Sequence, residues 1–107
     1  MARISYVEKE QAEPKVRELY EAMTKKGWPV GNLFKVMGHC PYIGLNFQRL
    51  GTAILTGEVL EPRLRELAIL RVGHLCKSDY EFTKHTVRGK REGLKQIDTG
   101  CKHGPHR

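Results

Sequence analysis

The chain has 107 residues, of which 39% are hydrophobic and 29% are charged, and its formal net charge is +7. A chain of this size holds one core, so we treat residues 1–107 as a single domain, and its composition excludes wholesale disorder. The first ten residues lack the apolar core of a secretory signal and no run approaches the roughly 18 apolar residues of a membrane span, which predicts a cytoplasmic protein with no membrane partner.

The first two predicted elements are helices. Apolar residues recur at the three-four spacing of helices throughout the chain, and no segment alternates over strand length, so we expect an all-α protein. The first helix is predicted to begin near Glu13-Pro14, because proline suits the first helical turn, and to end at Gly27. Asn32 is predicted to be the N-cap of a short second helix that stops at Gly38.

The third and fourth predicted helices carry long apolar runs. Pro41 opens the third, which ends near Thr56-Gly57. Its apolar residues recur at intervals of four, three and four: Ile43, Phe47, Leu50 and Ile54. The fourth runs from about Glu61 to Cys76 and is apolar almost all round, so we expect it to be the central buried helix. Its polar members include Glu66, Arg71 and His74.

A fifth helix is predicted to begin at Ser78. Ser78 and Glu81 match a capping box, in which a serine and the glutamate three residues later bond each other's exposed amides at a helix start. Gly93 is predicted to end this helix. Residues 94–98 can form another turn or two, and residues 99–107 lack apolar periodicity and are predicted to be a frayed tail.

Four polar residues around the link between the last two helices have a spacing that suits an active site. Ser78, Glu81 and His85 are spaced by three and four, which places them on one side of a helix. Glu66 lies twelve residues before Ser78, and a short link at Lys77 between antiparallel helices would bring it near the same place. A carboxylate beside an imidazole can hold and move a proton near neutral pH, which is the minimum for general acid/base chemistry.

Each of these residues also has a purely structural interpretation. The capping box alone accounts for Ser78 and Glu81. Glu66 can pair with Arg63 one turn earlier, and His85 can be a surface residue paired with Glu81. The pattern indicates a candidate acid/base site, and both interpretations stay open at this point.

At these residues the chain resembles the carboxymuconolactone decarboxylase and alkylhydroperoxidase D superfamily. The resemblance covers residues 33–93 and is strongest at PRLRELAILRVGHL and SDYEFTKH. It implies an all-helical subunit that assembles into trimers or hexamers. In the peroxidase branch a glutamate is followed twelve residues later by a CxxC pair, and a histidine follows four residues after the second cysteine. The residues at those positions are Glu66, Ser78, Glu81 and His85.

The missing CxxC pair limits the chemistry that the resemblance implies. A helix N-terminus favours the reactive thiolate of a cysteine, whereas a serine hydroxyl stays protonated and forms no disulfide, so Ser78 cannot attack a peroxide. Three cysteines and no export signal predict free thiols. A thiol-dependent peroxidase would have to use Cys76 together with Cys40 or a thiol of another subunit. Cys76 is more often a small buried apolar side chain.

The resemblance to the decarboxylase branch, which also lacks the redox pair, implies a lyase that needs no metal or organic cofactor. Its substrate would be a small carboxylated lactone or related organic acid. The implied acid/base is His85, with Glu66 orienting it or sharing its proton and Glu81 supporting the pair or contacting the substrate. The candidate substrate-binding residues are Ser78, Arg71 and Arg88, of which the arginines can pair with a carboxylate. A non-catalytic oligomeric binding protein of the same fold is the alternative from another class.

The charge pattern and the residue spacing do not favour nucleic acid or zinc as a partner. Four cations follow one another at intervals of four, three and four, but no base-reading motif accompanies them, so nucleic acid is not a predicted partner. They are Lys84, Arg88, Arg91 and Lys95. The pairs His74 with Cys76 and Cys101 with His103 are separated by one residue rather than two to four, so no zinc site is predicted.

The end of the chain bears on assembly. After Gly93 no further amphipathic helix is predicted, at a place where relatives continue with one. A reduced core makes the burial of apolar surface between subunits more necessary, so we predict an obligate homo-oligomer.

Overall fold

A computed structural model describes residues 3–57 and 59–99 of the chain. In these ranges it contains five α-helices and no strand, which confirms the all-α class. The helices are α1 (Pro14–Lys25), α2 (Asn32–Met37), α3 (Pro41–Thr56), α4 (Pro62–Leu75) and α5 (Asp79–Arg91). They fall into two compact units, with α1 to α3 in the first and α4 and α5 in the second. None of these helices is long and apolar enough to cross a membrane.

The core of the first unit is built on one face of α1. Val16, Tyr20 and Met23 are buried on this face, as their spacing predicts. Ala12 packs with Val16 and Tyr20, and Phe34 of α2 is among the partly buried residues that cover them. The predicted bounds of α1 are also confirmed, since the helix begins at proline and a glycine with a φ of 73° follows its end.

In the second unit, the turn between α4 and α5 is a Schellman motif that sets where α5 begins. The amide of Ser78 donates to the carbonyl oxygen of Gly73 over 2.8 Å, and the amide of Lys77 donates to that of His74 over 3.1 Å. Lys77 occupies the left-handed position of the motif, with a φ of 53°, which usually belongs to glycine. This short link lets α5 fold back against α4.

Two buried glycines lie where α4 and α5 pack against each other. A Cβ atom at Gly73 of α4 would lie 3.4 Å from the amide nitrogen of Phe82 in α5. At Gly89 of α5 it would lie 3.5 Å from the Cβ of Glu66 and 2.5 Å from Cδ1 of Leu94. A larger residue at Gly89 would therefore displace the side chain of Leu94, which is buried against it.

Residues 94–98 form a turn that Asp98 ties to α4. Oδ2 of Asp98 accepts a hydrogen bond from the amide of Lys95 over 2.8 Å and another from Nη2 of Arg63 over 3.1 Å. The first of these hydrogen bonds is the main cause of a lowered Asp98 pKa, and Arg63 adds to it. The predicted end of α5 is confirmed, because Gly93 follows it with a φ of 93°. Of the predicted tail, residues 100–107 lie outside the described residues.

Two predictions about helix starts are wrong. Asn32 is the first residue of α2, and the N-cap is Gly31. Ser78 does occupy the N-cap position of α5, but its side chain makes no capping hydrogen bond. In a capping box Glu81 would accept from the amide of Ser78, and that amide is already bonded to the carbonyl of Gly73.

The prediction that α4 is a central buried helix is also wrong for the single chain. Its buried residues are Arg65, Glu66, Leu70 and Gly73, so its buried face is largely polar or small. Its exposed apolar residues are Leu64, Val72 and Leu75, at 44%, 59% and 62%. α4 is apolar almost all round, but a single neighbouring helix covers only one of its sides. Its other sides are left to solvent or to another chain.

The apolar stripe of α3 is exposed as well. Its members lie between 42% and 60% exposed, although their spacing matches that of a buried helix face. They are Ile43, Phe47, Leu50 and Ile54. A contiguous apolar surface of this kind marks an interaction site more often than a free surface.

The hydrogen bonds that Asp98 accepts from Lys95 and Arg63 predict a pH-dependent contribution to the stability of the fold. Because its pKa is lowered in the folded chain, this contribution is complete above the unfolded pKa, about 3.9, and is lost as the pH falls through the lower folded value. We therefore expect Asp98→Asn to lower the melting temperature at pH 7 and to have less effect near pH 3. Thermal unfolding of both proteins across this range measures the difference.

Glu18→Gln, at an exposed acid of α1, is the matched control and should change the melting temperature little at either pH. If the effect of Asp98→Asn were the same at pH 7 and pH 3, the tie would contribute nothing through its charge.

Candidate functional site

Glu66 is fully buried on the side of α4 that packs against α5. A carboxylate in such a place is strongly destabilising unless charges and hydrogen-bond donors surround it. Three side chains do so: Arg65 from α4 and His85 and Arg88 from α5. Among the described residues, no buried side-chain nitrogen or oxygen atom lacks a hydrogen-bond partner.

Two arginines hold one oxygen of this carboxylate. Oε1 of Glu66 accepts hydrogen bonds from Nε and Nη2 of Arg65, each over 3.2 Å. The same oxygen lies 3.3 Å from Nε of Arg88. The side chain of Arg65 is 6% exposed and that of Arg88 is 37% exposed, so only Arg88 also reaches the surface. The buried negative charge is thus compensated by two guanidinium groups.

The other oxygen meets His85. Nδ1 of His85 lies 2.6 Å from Oε2 of Glu66, shorter than the roughly 2.7–2.9 Å typical of charge-assisted hydrogen bonds. Because a carboxylate only accepts hydrogen bonds, Nδ1 carries the proton of this bond. The second ring nitrogen, Nε2, lies 3.6 Å from Oε2 of Glu81. The expected meeting of Glu66 with His85 therefore occurs within one chain.

An open hollow of about 420 Å³ lies beside Glu81 in the second unit. Its lining consists of Ala68, Ile69, Val72 and Gly73 of α4, together with Cys76, Ser78 and Glu81. Glu81 connects the hollow with the buried pair, because it also approaches Nε2 of His85. Neither Glu66 nor His85 lines the hollow, so a ligand in it would reach the pair past Glu81.

The expected pair of Glu66 with Arg63 is wrong, because Arg63 pairs with Asp98 over 3.1 Å and the arginine partners of Glu66 are Arg65 and Arg88. The expected pair of His85 with Glu81 is present at 3.6 Å, but the His85 side chain is only 18% exposed and also pairs with buried Glu66. Arg71 is exposed and makes no ion pair or hydrogen bond with the described part of the chain.

Two of the cysteines lie within the described residues. Cys76 is exposed at the C-cap of α4 rather than buried as predicted, and its thiol is free. Cys40 of the first unit is free and exposed as well. Cys101 and the last two histidines lie outside the described residues. In the ranges that the structure describes, no cluster of three or more His, Cys, Asp or Glu residues could hold a metal ion.

Arg65 is the member of this cluster that sequence reasoning missed. Neighbouring residues on a helix do not face each other, so spacing gives no reason to pair Arg65 with Glu66. The available signal was composition, because Arg65 is a second charge beside Glu66 in a helix otherwise rich in apolar residues. Two adjacent opposite charges in such a helix indicate a buried pair.

Glu66→Ala is expected to lower the free energy of unfolding by about 3–5 kcal/mol, because it leaves the buried guanidinium of Arg65 without its carboxylate. Glu81→Ala removes a partly exposed carboxylate and should cost less than about 1 kcal/mol. Urea unfolding of the two variants measures both values. Similar losses would mean that burial of the Glu66 cluster does not govern the stability of the chain.

Comparison with known protein families places this geometry in context. The model of the family described as "Carboxymuconolactone decarboxylase family" matches residues 41–99. The matched range contains α3, α4 and α5 and all residues of the Glu66 cluster. Neither a curated protein nor a solved structure matched the chain.

Proposed function

Because the chain belongs to the carboxymuconolactone decarboxylase family, we propose that it is a cofactor-free acid/base enzyme acting on a small carboxylated lactone or organic acid. The observation that supports this most directly is the 2.6 Å hydrogen bond between Nδ1 of His85 and Oε2 of Glu66. A buried carboxylate that orients an imidazole is suited to proton transfer, because it fixes which ring nitrogen faces the substrate.

In the proposed reaction, His85 acts as an imidazolium with a proton on each ring nitrogen, so that Nε2 delivers its proton while Nδ1 keeps the one bonded to Glu66. The bond between the substrate carbon and its carboxyl group breaks, carbon dioxide leaves, and the electron pair of that bond stays on the substrate. The proton from Nε2 then forms the new carbon–hydrogen bond. Glu66 holds the ring through Nδ1 during the transfer, and Glu81 stands 3.6 Å from Nε2, where it contacts the incoming substrate.

The substrate carboxyl group is proposed to bind at Arg88. Its Nε contacts Glu66 at 3.3 Å, which places the guanidinium beside the acid/base pair. Its side chain is 37% exposed, and a guanidinium pairs well with a carboxylate. The apolar part of the substrate would lie in the hollow, with Ser78 at its wall. Exposed Arg71 is a second candidate for the carboxyl group.

The protein is further proposed to work as a homo-oligomer, a trimer or a hexamer. The exposed apolar residues of α3 and α4 support this, because a monomer would leave them in water. Covering them between copies would bury apolar surface that the single chain does not bury, at roughly 25 cal/mol per Å². The stability of the fold would then depend on protein concentration.

A thiol peroxidase is the second candidate, favoured by one observation: the thiol of Cys76 is exposed in the wall of the hollow. This reaction would need a resolving thiol from Cys40 or another subunit. Peroxide consumption that vanishes in Cys76→Ser would identify this reaction, and unchanged consumption would exclude Cys76 as its nucleophile.

Loss of either member of the acid/base pair is expected to stop turnover. A screen of muconolactone-type acids against the wild type identifies a substrate, and His85→Asn and Glu66→Gln should then lower kcat by about 10²- to 10⁴-fold. Circular dichroism shows whether each variant is folded. Lys84→Gln, at an exposed residue of α5 outside the cluster, should keep wild-type turnover. Equal turnover by the wild type and both pair variants would refute the residue assignment.

A charge in the α3 stripe is expected to break the oligomer. Leu50 is 60% exposed in the single chain, so Leu50→Glu should not disturb the fold of the subunit but should place a charge in the proposed interface. Sedimentation velocity should show a smaller particle for this variant than for the wild type. Lys15→Glu, an exposed control on α1, should keep the wild-type size. A wild type that sediments as a monomer at high concentration would disprove the oligomer.

A further inference from the structure

We propose that Arg65 is a positioning residue that fixes the rotation of the Glu66 carboxylate and, through it, the ring of His85. This inference rests on the proposed function, since it explains how the acid/base pair is held. Arg65 is 6% exposed and lies under the surface of the second unit, so it is placed to act on Glu66 rather than on a ligand.

The division of donors between the two carboxylate oxygens is unequal. Oε1 of Glu66 has three nitrogen neighbours, which are Nε and Nη2 of Arg65 at 3.2 Å and Nε of Arg88 at 3.3 Å. Within the described residues, Oε2 has one hydrogen bond, to Nδ1 of His85 over 2.6 Å. A carboxylate that rotated about its terminal bond would exchange these partners. The two donors of Arg65 on one oxygen oppose this rotation and keep Oε2 for His85.

The position of Arg65 in the chain makes it the fixed reference of the cluster. Arg65 and Glu66 are adjacent in α4, so their backbones are held in one helix. Arg88 and His85 come from α5 and shift whenever the two helices shift. Arg88 already supplies a guanidinium to the same oxygen, so neutralising the charge of Glu66 does not require a second one at the neighbouring residue. Orientation does require it, because without Arg65 each oxygen would keep one contact, both from α5, and the carboxylate would turn as that helix shifts.

The expected consequence lies in the tautomer of His85. With Oε2 fixed as acceptor, the neutral ring carries its proton on Nδ1 and presents Nε2 toward Glu81. If the carboxylate rotates, Nδ1 loses this acceptor and the ring can carry its proton on either nitrogen. Arg65 would therefore determine which ring atom faces the substrate without touching the substrate itself.

The test compares Arg65→Lys with the wild type by ¹⁵N NMR of the His85 ring. Lysine keeps the positive charge but offers one ammonium nitrogen instead of two donors in a fixed fork. Signals of His85 are identified by their loss in His85→Asn. The wild type should show a proton on Nδ1 of the neutral ring, and Arg65→Lys should show a mixture of both tautomers. Arg63→Lys, two residues earlier on α4, keeps its pair with Asp98 and should match the wild type.

Measurements of kcat, KM and the melting temperature distinguish a positioning role of Arg65 from a purely structural one. On a substrate found in the screen, Arg65→Lys should lower kcat by about 10- to 100-fold with little change in KM, because the misplaced group acts in the transition state. A folded Arg65→Lys with the wild-type tautomer would overturn the proposal, whatever its melting temperature. Arg65→Met removes the charge as well and should shift the tautomer further. If Arg65→Met does not fold, Arg65→Lys alone decides.

The NMR result does not depend on the proposed reaction. A wild type without turnover on any acid, but with a His85 tautomer that Arg65→Lys changes, would refute the proposed function and still support the role of Arg65 in holding the pair.

Discussion

The second unit depends on one constraint: the carboxylate of Glu66 is buried away from water and has to be paired there. Glu66 has its two oxygens satisfied from two directions, by Arg65 of its own helix and by His85 and Arg88 of α5. The donors of α5 reach it because a short Schellman turn reverses the chain and brings α5 against α4. An unpaired charge at Glu66 would be destabilising by several kcal/mol. The same ion pairs therefore hold α5 against α4 and fix the geometry of the site.

The faces of α4 reverse the usual arrangement of a helix in a small domain. The side that packs within the chain carries Arg65 and Glu66, whereas Leu64, Val72 and Leu75 are exposed. Under the proposed assembly, the apolar sides serve contacts between copies and the polar side serves chemistry within each copy. Val72 also lines the hollow, so a neighbouring copy on this face of α4 would form part of the wall around the substrate. The proposed oligomer and the proposed site are therefore linked.

Sequence reasoning predicted the features that local chemistry decides. Helices begin at prolines and end at glycines because these residues act on their own backbone, and the bounds of α1 and α3 and the end of α5 follow from them. The predicted capping box does not form, because the amide of Ser78 donates to the carbonyl oxygen of Gly73 in the preceding helix. The prediction that α4 is buried was wrong, because apolar composition indicates that a helix surface is to be buried but does not indicate which element or chain buries it. The approach of Glu66 to His85 was predictable from their spacing across the short link, whereas spacing gives no reason to pair Arg65 with its neighbour.

The account stands on the pairing of one buried carboxylate with one imidazole in the working protein. A crystal structure of the assembled protein with a carboxylated lactone bound tests it most directly. The account predicts that Oε2 of Glu66 and Nδ1 of His85 stay within hydrogen-bond distance and that Nε2 of His85 faces the carbon that loses carbon dioxide. A ligand bound elsewhere, or the two side chains separated by more than one bridging water, would contradict it.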